Sequence, residues 1–128
     1  MSSESRYRPG VCNIGASERR KRYRYAAVAF AAAVGYLLVV LASGAPPILL
    51  VGLFVPVSLG VELALQARRD FCAALALSGR YSFDDESGAV EDPSARRTDR
   101  NVGIRFVCVG LAAGAVTSAL AYGVAVSL

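Results

Sequence analysis

Residues 25–61 read YAAVAFAAAVGYLLVVLASGAPPILLVGLFVPVSLGV, 37 consecutive positions without Asp, Glu, Lys or Arg. A bilayer core of about 30 Å takes roughly 20 apolar helical residues to cross, so this stretch holds two crossings. The break between them is Ser43-Gly44-Ala45-Pro46-Pro47, an uncharged turn whose second proline suits the first turn of the next helix. Outward along the chain, residues 106–128 form a second uncharged run of 23 positions, enough for one more crossing.

All 14 basic and 10 acidic side chains lie outside these two tracts, and neither tract carries the polar stripe of a soluble helix. The expected fold is all-α: a three-helix transmembrane bundle with a cytoplasmic extension of helix 2 and a polar cytoplasmic loop. Its spans fall at about residues 25–43, 47–66 and 102–126, with the loop at 67–101 and a basic segment at 1–24. Residues 25–128 then make a single transmembrane domain.

The basic residues set the orientation. Seven precede the first tract (Arg6, Arg8, Arg19, Arg20, Lys21, Arg22, Arg24) and seven lie between the tracts (Arg68, Arg69, Arg80, Arg96, Arg97, Arg100, Arg105). Short loops rich in Lys and Arg stay inside, so three spans keep all of them on the cytoplasmic face, with the N-terminus in and the C-terminus out. The apolar run at 26–44 exceeds the 7–15 residues typical of a cleavable signal and reads as an uncleaved anchor in the cell membrane.

Several local signals refine this layout. Residues 1–10 are polar with Pro and Gly and read as disordered, and Ser17 is a candidate helix cap. Ala27, Ala31 and Gly35 recur every four residues, a small-residue face suited to close packing. Pro56 is expected to kink the second span. Glu62, Gln66 and Arg69 give that helix one polar stripe at its inner end, and residues 71–77 extend it along the interface or fold back on the bundle. Gly79 ends that segment, residues 81–91 read as a solvated loop, and Asp92-Pro93 starts the third helix.

Chemistry-bearing constellations are sparse. No His is present, which excludes His-based triads and His-ligated metals, and no Gly-rich phosphate loop or Cys-x-x-Cys pair occurs. No catalytic residue, cofactor or metal is implied, and the chain reads as non-enzymatic. Cys12 and Cys72 are the candidate thiol pair, since both fall near the inner face, as does Cys108. Packing as reduced cytoplasmic thiols is the plainer use of all three. Glu62 and Arg105 intrude furthest into the apolar tracts, which makes them a candidate interhelix ion pair or a polar site for a headgroup or partner; each can also simply snorkel. Gly110, Gly114 and Ser118 form a ridge for helix packing, within the bundle or against a second copy. Arg19, Arg20, Lys21, Arg22 and Arg24 are expected to contact anionic lipid. They lack the aromatic platform of a nucleic-acid surface.

The segment Cys12-Asn13-Ile14-Gly15-x-x-Glu18-Arg19, together with Gln66-Ala67-Arg68-Arg69-Asp70-Phe71-Cys72, resembles a family of small prokaryotic integral membrane proteins of unknown function. That family opens Cys-Asn-Ile-Gly and carries a later Phe-Cys segment. The chain is also distantly similar to a membrane domain that opens Asn-Val-Gly-x-x-Asp-Arg and sometimes accompanies a rhodanese-type sulfurtransferase domain. The resemblance covers about residues 12–77 and implies the architecture but no activity. It also implies that the two motif segments belong together at the inner surface, with Cys12 and Cys72 facing each other and Asn13 bonding exposed backbone.

Three functions are compatible with these features. One is a structural or accessory subunit that packs helices against partners in a larger membrane complex or homo-oligomer. Another is a thiol-dependent redox or sulfur-handling membrane protein using Cys12 and Cys72. A third is a small transporter acting as an oligomer.

Overall fold

In the computed structural model, which describes residues 7–84 and 87–128, the uncharged tracts fold as three long helices. Helix α1 (Ala16–Ala42) turns at Ser43 and Gly44 and returns through a 3-10 segment (Pro47–Leu53) into α2 (Phe54–Arg69). A short helix α3 (Ala73–Ser78) and a hairpin of β1 (Arg80–Ser82) with β2 (Ser87–Ala89) lead to α4 (Pro93–Ser127). The strands pair antiparallel with Arg80 opposite Ala89. Ala16–Ala42, Pro47–Arg69 and Pro93–Ser127 are each long and apolar enough to cross a membrane. Their outward side chains, such as Val28, Val34, Leu59, Val116 and Leu120, are apolar and more than half exposed, as lipid-facing positions require. The charged residues, the short elements and the starts of α1 and α4 gather at one end of the bundle.

Two boundary signals act as the sequence implied. Asp92 accepts from the Ser94 N–H at 3.3 Å with Pro93 in the first helical position, and Gly79 closes α3 in the left-handed conformation.

Other expectations are corrected. Ser17 does not cap α1: the helix starts at Ala16, and Ser17 lies in its first turn. The capping group is Asp84, 67 positions away, which accepts from the Ser17 N–H at 3.1 Å and its hydroxyl at 2.7 Å. Pro56 does not kink a running α-helix, because Pro47–Leu53 is 3-10 and the α-helix begins at Phe54. Pro56 thus falls in a first turn, where a missing N–H matters least. Residues 71–77 do not prolong α2, because Asp70 adopts a left-handed φ of 53° and both its own N–H and that of Phe71 close onto the Gln66 carbonyl. The chain then folds back as α3 against α4. Residues 81–91 are not a solvated loop throughout, since Tyr81, Phe83 and Val90 are buried with Ala95. Of residues 1–10, residues 1–6 lie outside the described ones, but 7–10 are fixed by an Arg8–Cys12 bridge turning at Gly10.

Packing follows the small residues. Gly110, Gly114 and Ser118 are buried on the face of α4 that meets α2, so the ridge serves the chain's own bundle. A Cβ at Gly114 would clash outright with Ser58 Oγ and sit 2.7 Å from the Phe54 carbonyl oxygen. The apolar core between the spans consists of Ala33, Val40, Leu50, Leu53 and Val57. On α1 the buried alanines are Ala26, Ala29 and Ala33, whereas Ala27 and Ala31 are exposed and Gly35 has nothing within 4 Å of a Cβ position. That small-residue face points away from the bundle.

Candidate functional site

The charged end is organised around two fully buried polar side chains, Asn13 and Asp99. Asn13 clasps the backbone of Cys72 from both sides: its Nδ2 donates to the Cys72 carbonyl at 3.1 Å, and its Oδ1 accepts from the Cys72 N–H at 2.7 Å. The Asn13 and Ile14 N–H groups donate to the Asp70 carbonyl, and the Asn13 carbonyl accepts from Ser82. The N-terminal strand is thereby threaded between the end of α2 and β1. This is the backbone role the resemblance implied for Asn13.

Asp99 sits on the same face of α4 as Gly103, Gly110 and Gly114. Its carboxylate accepts from the Tyr7 hydroxyl at 2.5 Å and the Gly10 N–H at 2.7 Å. Burial, then the hydrogen bond to Asp99 and its charge, push the Tyr7 hydroxyl far above the ordinary tyrosine value. Sequence reading missed both residues. The available signal was periodic: an acidic residue four positions before Gly103 continues the buried face toward the helix start.

Arg22 lies between α1 and α2 with its side chain 14% exposed. It donates to Glu18 Oε2 at 2.7 Å, to Gln66 Oε1 at 3.3 Å and to Cys72 Sγ at 3.0 Å. Gln66 passes the contact on, its Nε2 donating to Glu62 Oε1 at 3.3 Å. A polar chain therefore runs from Cys72 through Arg22 and Gln66 to Glu62, one turn deeper in the bundle.

The expected sites redistribute accordingly. The segments bearing Cys12 and Cys72 do adjoin, yet the sulfurs have separate partners: Cys12 Sγ faces the Ile14 carbonyl at 3.7 Å, while Cys72 is buried under Arg22. The Glu62–Arg105 ion pair is not formed. Glu62 faces Gly110, and Arg105, five positions earlier, points about 140° around α4 into the exposed surface. Of the five basic residues expected on lipid, Arg22 is turned inward and Arg19 pairs with Asp70 at 3.0 Å. Arg20, Lys21 and Arg24 remain exposed, Lys21 lying 3.5 Å from Glu18.

Burial, and secondarily the charge of Asp70, push the Cys12 thiol up from the ordinary cysteine value. In a Cys108→Ser background, thiol labelling in bilayers is therefore expected to give two distinct profiles. Cys12 labels slowly at neutral pH and keeps accelerating above the ordinary thiol value of about 8.5. Cys72 stays unlabelled until the protein unfolds. Prompt labelling of Cys72 in the folded protein would contradict its place beneath Arg22.

Comparison of the chain with family models, with curated proteins and with solved structures gave no match.

Proposed function

We propose that this protein is a non-enzymatic structural or accessory subunit of the cell membrane, acting by helix packing with partners. In this reading its charged end is cytoplasmic, in line with the positions of the basic residues. The observation that carries it is the outward face of α1. Ala27, Ala31 and Gly35 form a strip of small residues on the lipid side, while the bundle's own contacts are met by Ala26, Ala29 and Ala33 and by the ridge of α4. Small residues at four-residue spacing let another helix approach closely, which is the main source of association where lipid and side chain are equally apolar. The Cys-Asn-Ile-Gly and Phe-Cys segments that carry the family resemblance act here as structural parts, holding the charged end rigid behind that face.

The test is association in the membrane. Gly35→Leu and Ala31→Leu are expected to weaken assembly measured by cross-linking in native membranes and by size after mild extraction, each by about 1 kcal/mol. Gly123→Leu, also in open space, should leave it unchanged. A protein that is monomeric and partnerless in native membranes overturns the reading.

A second reading, thiol-based chemistry, is favoured by the Arg22 guanidinium on the Cys72 sulfur. It requires Cys72 to become accessible, and the labelling profile above decides it.

A further inference from the structure

At the charged end, the N-terminal segment, the first turns of α1, the end of α2 and Phe83 enclose an open cleft of about 500 Å³, a size that suits a small organic ligand. Three arginines line it, Arg8 from the N-terminal segment, Arg19 from α1 and Arg69 from α2, against one carboxylate, Asp70. Arg19 is matched to Asp70 at 3.0 Å. Arg8 and Arg69 are exposed, and neither side chain has a hydrogen bond or ion pair among the described residues. The lining therefore carries two uncompensated positive charges. Asp84 is turned onto the Ser17 N–H and hydroxyl. The start of α1 is thus already capped, and the arginines are the groups left to hold an anion.

The charges converge. Burial raises the Cys12 thiol and Asp70 adds to the rise, whereas Arg8 and Arg19 both oppose it, which sets their guanidiniums around one sulfur in the wall of the cleft. A guanidinium presents paired N–H donors in the geometry of phosphate or carboxylate oxygens. Two uncompensated ones around a single cleft match a dianion better than a monoanion. Val11 and Phe83 add apolar wall, so the anion that fits carries an organic body. Arg19 lies six residues before the long uncharged tract, about 9 Å of helix, and Arg69 eight residues after it, about 12 Å. The headgroup layer takes up about 5–8 Å on each side of the hydrocarbon. The cleft thus opens at the outer edge of that layer, within reach of water and of a phosphate that projects from lipid.

We propose that this cleft binds a phosphomonoester dianion with an apolar body, its oxygens held by Arg8 and Arg69 with Arg19 alongside, and its body against Val11 and Phe83. Two sources offer that chemistry: a soluble organic phosphate and the terminal phosphate of phosphatidic acid. The site is independent of whether the subunit associates through α1.

The test uses the full chain in phosphatidylcholine nanodiscs with 4-fluorophenyl phosphate, followed by fluorine NMR at about pH 8. The second proton of a phosphomonoester leaves near pH 6, so the probe is a dianion there. Saturable binding is expected at least about tenfold tighter than for 4-fluorobenzenesulfonate, which offers three oxygens but one charge. Arg8→Gln and Arg69→Gln should each weaken the phosphate by about tenfold. Arg97→Gln removes the same charge from the exposed surface of α4 and should change it by less than about twofold. Bound phosphate should also slow Cys12 labelling in the Cys108→Ser background in proportion to occupancy, since that thiol lines the cleft. Continued protection of Cys72 from labelling verifies that each variant is folded. Replacing part of the phosphatidylcholine by phosphatidic acid separates the two sources: displacement of the probe assigns the site to the lipid, and unchanged binding assigns it to a soluble phosphate. Phosphatidylglycerol, a phosphodiester, controls for membrane charge. Equal binding of phosphate and sulfonate, equal losses in Arg97→Gln and the cleft variants, Cys12 labelling indifferent to the phosphate, or equal displacement by phosphatidylglycerol overturns the proposal.

Discussion

Gly114→Leu is expected to separate α4 from α2 and unfold the bundle at a much lower denaturant fraction than wild type. The added side chain starts from a Cβ that clashes with Ser58 Oγ and lies 2.7 Å from the Phe54 carbonyl oxygen. A serine hydroxyl can rotate away, but a helix carbonyl cannot, so the two backbones must part. Overpacking of this kind costs about 3 kcal/mol, roughly a hundredfold in the folding equilibrium. Membrane bundles have little to offset such a loss, because exposed apolar side chains gain nothing by leaving lipid. Unfolding in a detergent mixture of rising SDS fraction, followed by circular dichroism, measures the shift. Gly123→Leu supplies the control, since a Cβ there meets nothing within 4 Å. Two variants with the same midpoint would mean that α2 and α4 are not held at this ridge. Adding Ser58→Gly to Gly114→Ala should recover part of the Gly114→Ala loss, because only the hydroxyl clash is relieved.

The bundle and its charged end differ in how they are specified, and so in how far they could be read. The three spans follow from a property of the local sequence, the lack of charge over 37 and 23 positions, and lipid enforces it residue by residue. Asp92, Pro93 and Gly79 act within a turn of themselves, so they too were legible. The charged end is held by partners distant in the chain. Tyr7 meets Asp99 across 92 positions, Asn13 meets Cys72 across 59, and Asp84 caps α1 across 67. No window of sequence contains both halves of such a contact. Asp70 illustrates the limit, since nothing local marks it for the left-handed conformation. Its carbonyl is held by Asn13 and Ile14 and its carboxylate by Arg19, and these contacts offset the strain. The Glu62–Arg105 pairing failed for a different reason: Glu62 lies opposite Gly110, five residues deeper than Arg105, whose side chain also points elsewhere around α4. The same 100° per residue separates the exposed Ala27 from the buried Ala26.

Removing the Asp99 carboxylate is expected to release the N-terminal segment while the spans stay folded. Asp99→Ala leaves the half-buried Gly10 N–H and Tyr7 hydroxyl without their fully buried acceptor, a loss of about 2–3 kcal/mol. Amide exchange at Val11 and Cys12, whose N–H groups donate to the Arg8 carbonyl, should speed up by roughly a hundredfold if the segment opens as a unit. Asp99→Asn should cost less, because its oxygen still accepts from Gly10 and the tyrosine hydroxyl can turn to accept from the new amide. The same latch has a pH signature. Tyr7 has its hydroxyl raised in the folded protein, chiefly by burial and then by Asp99, so its neutral form is the one that folding favours. The stabilisation is therefore whole below the ordinary tyrosine value of about 10 and drains away as pH climbs above it toward the folded value. Subtracting the tyrosinate absorbance titration of Tyr7→Phe from that of wild type isolates this group. Its ionisation should appear well above pH 10 in wild type and fall back toward 10 in Asp99→Ala. A Tyr7 that already titrates at the ordinary value in wild type would mean that the hydroxyl is not seated on Asp99, and the ordering of the N-terminal segment would need another cause.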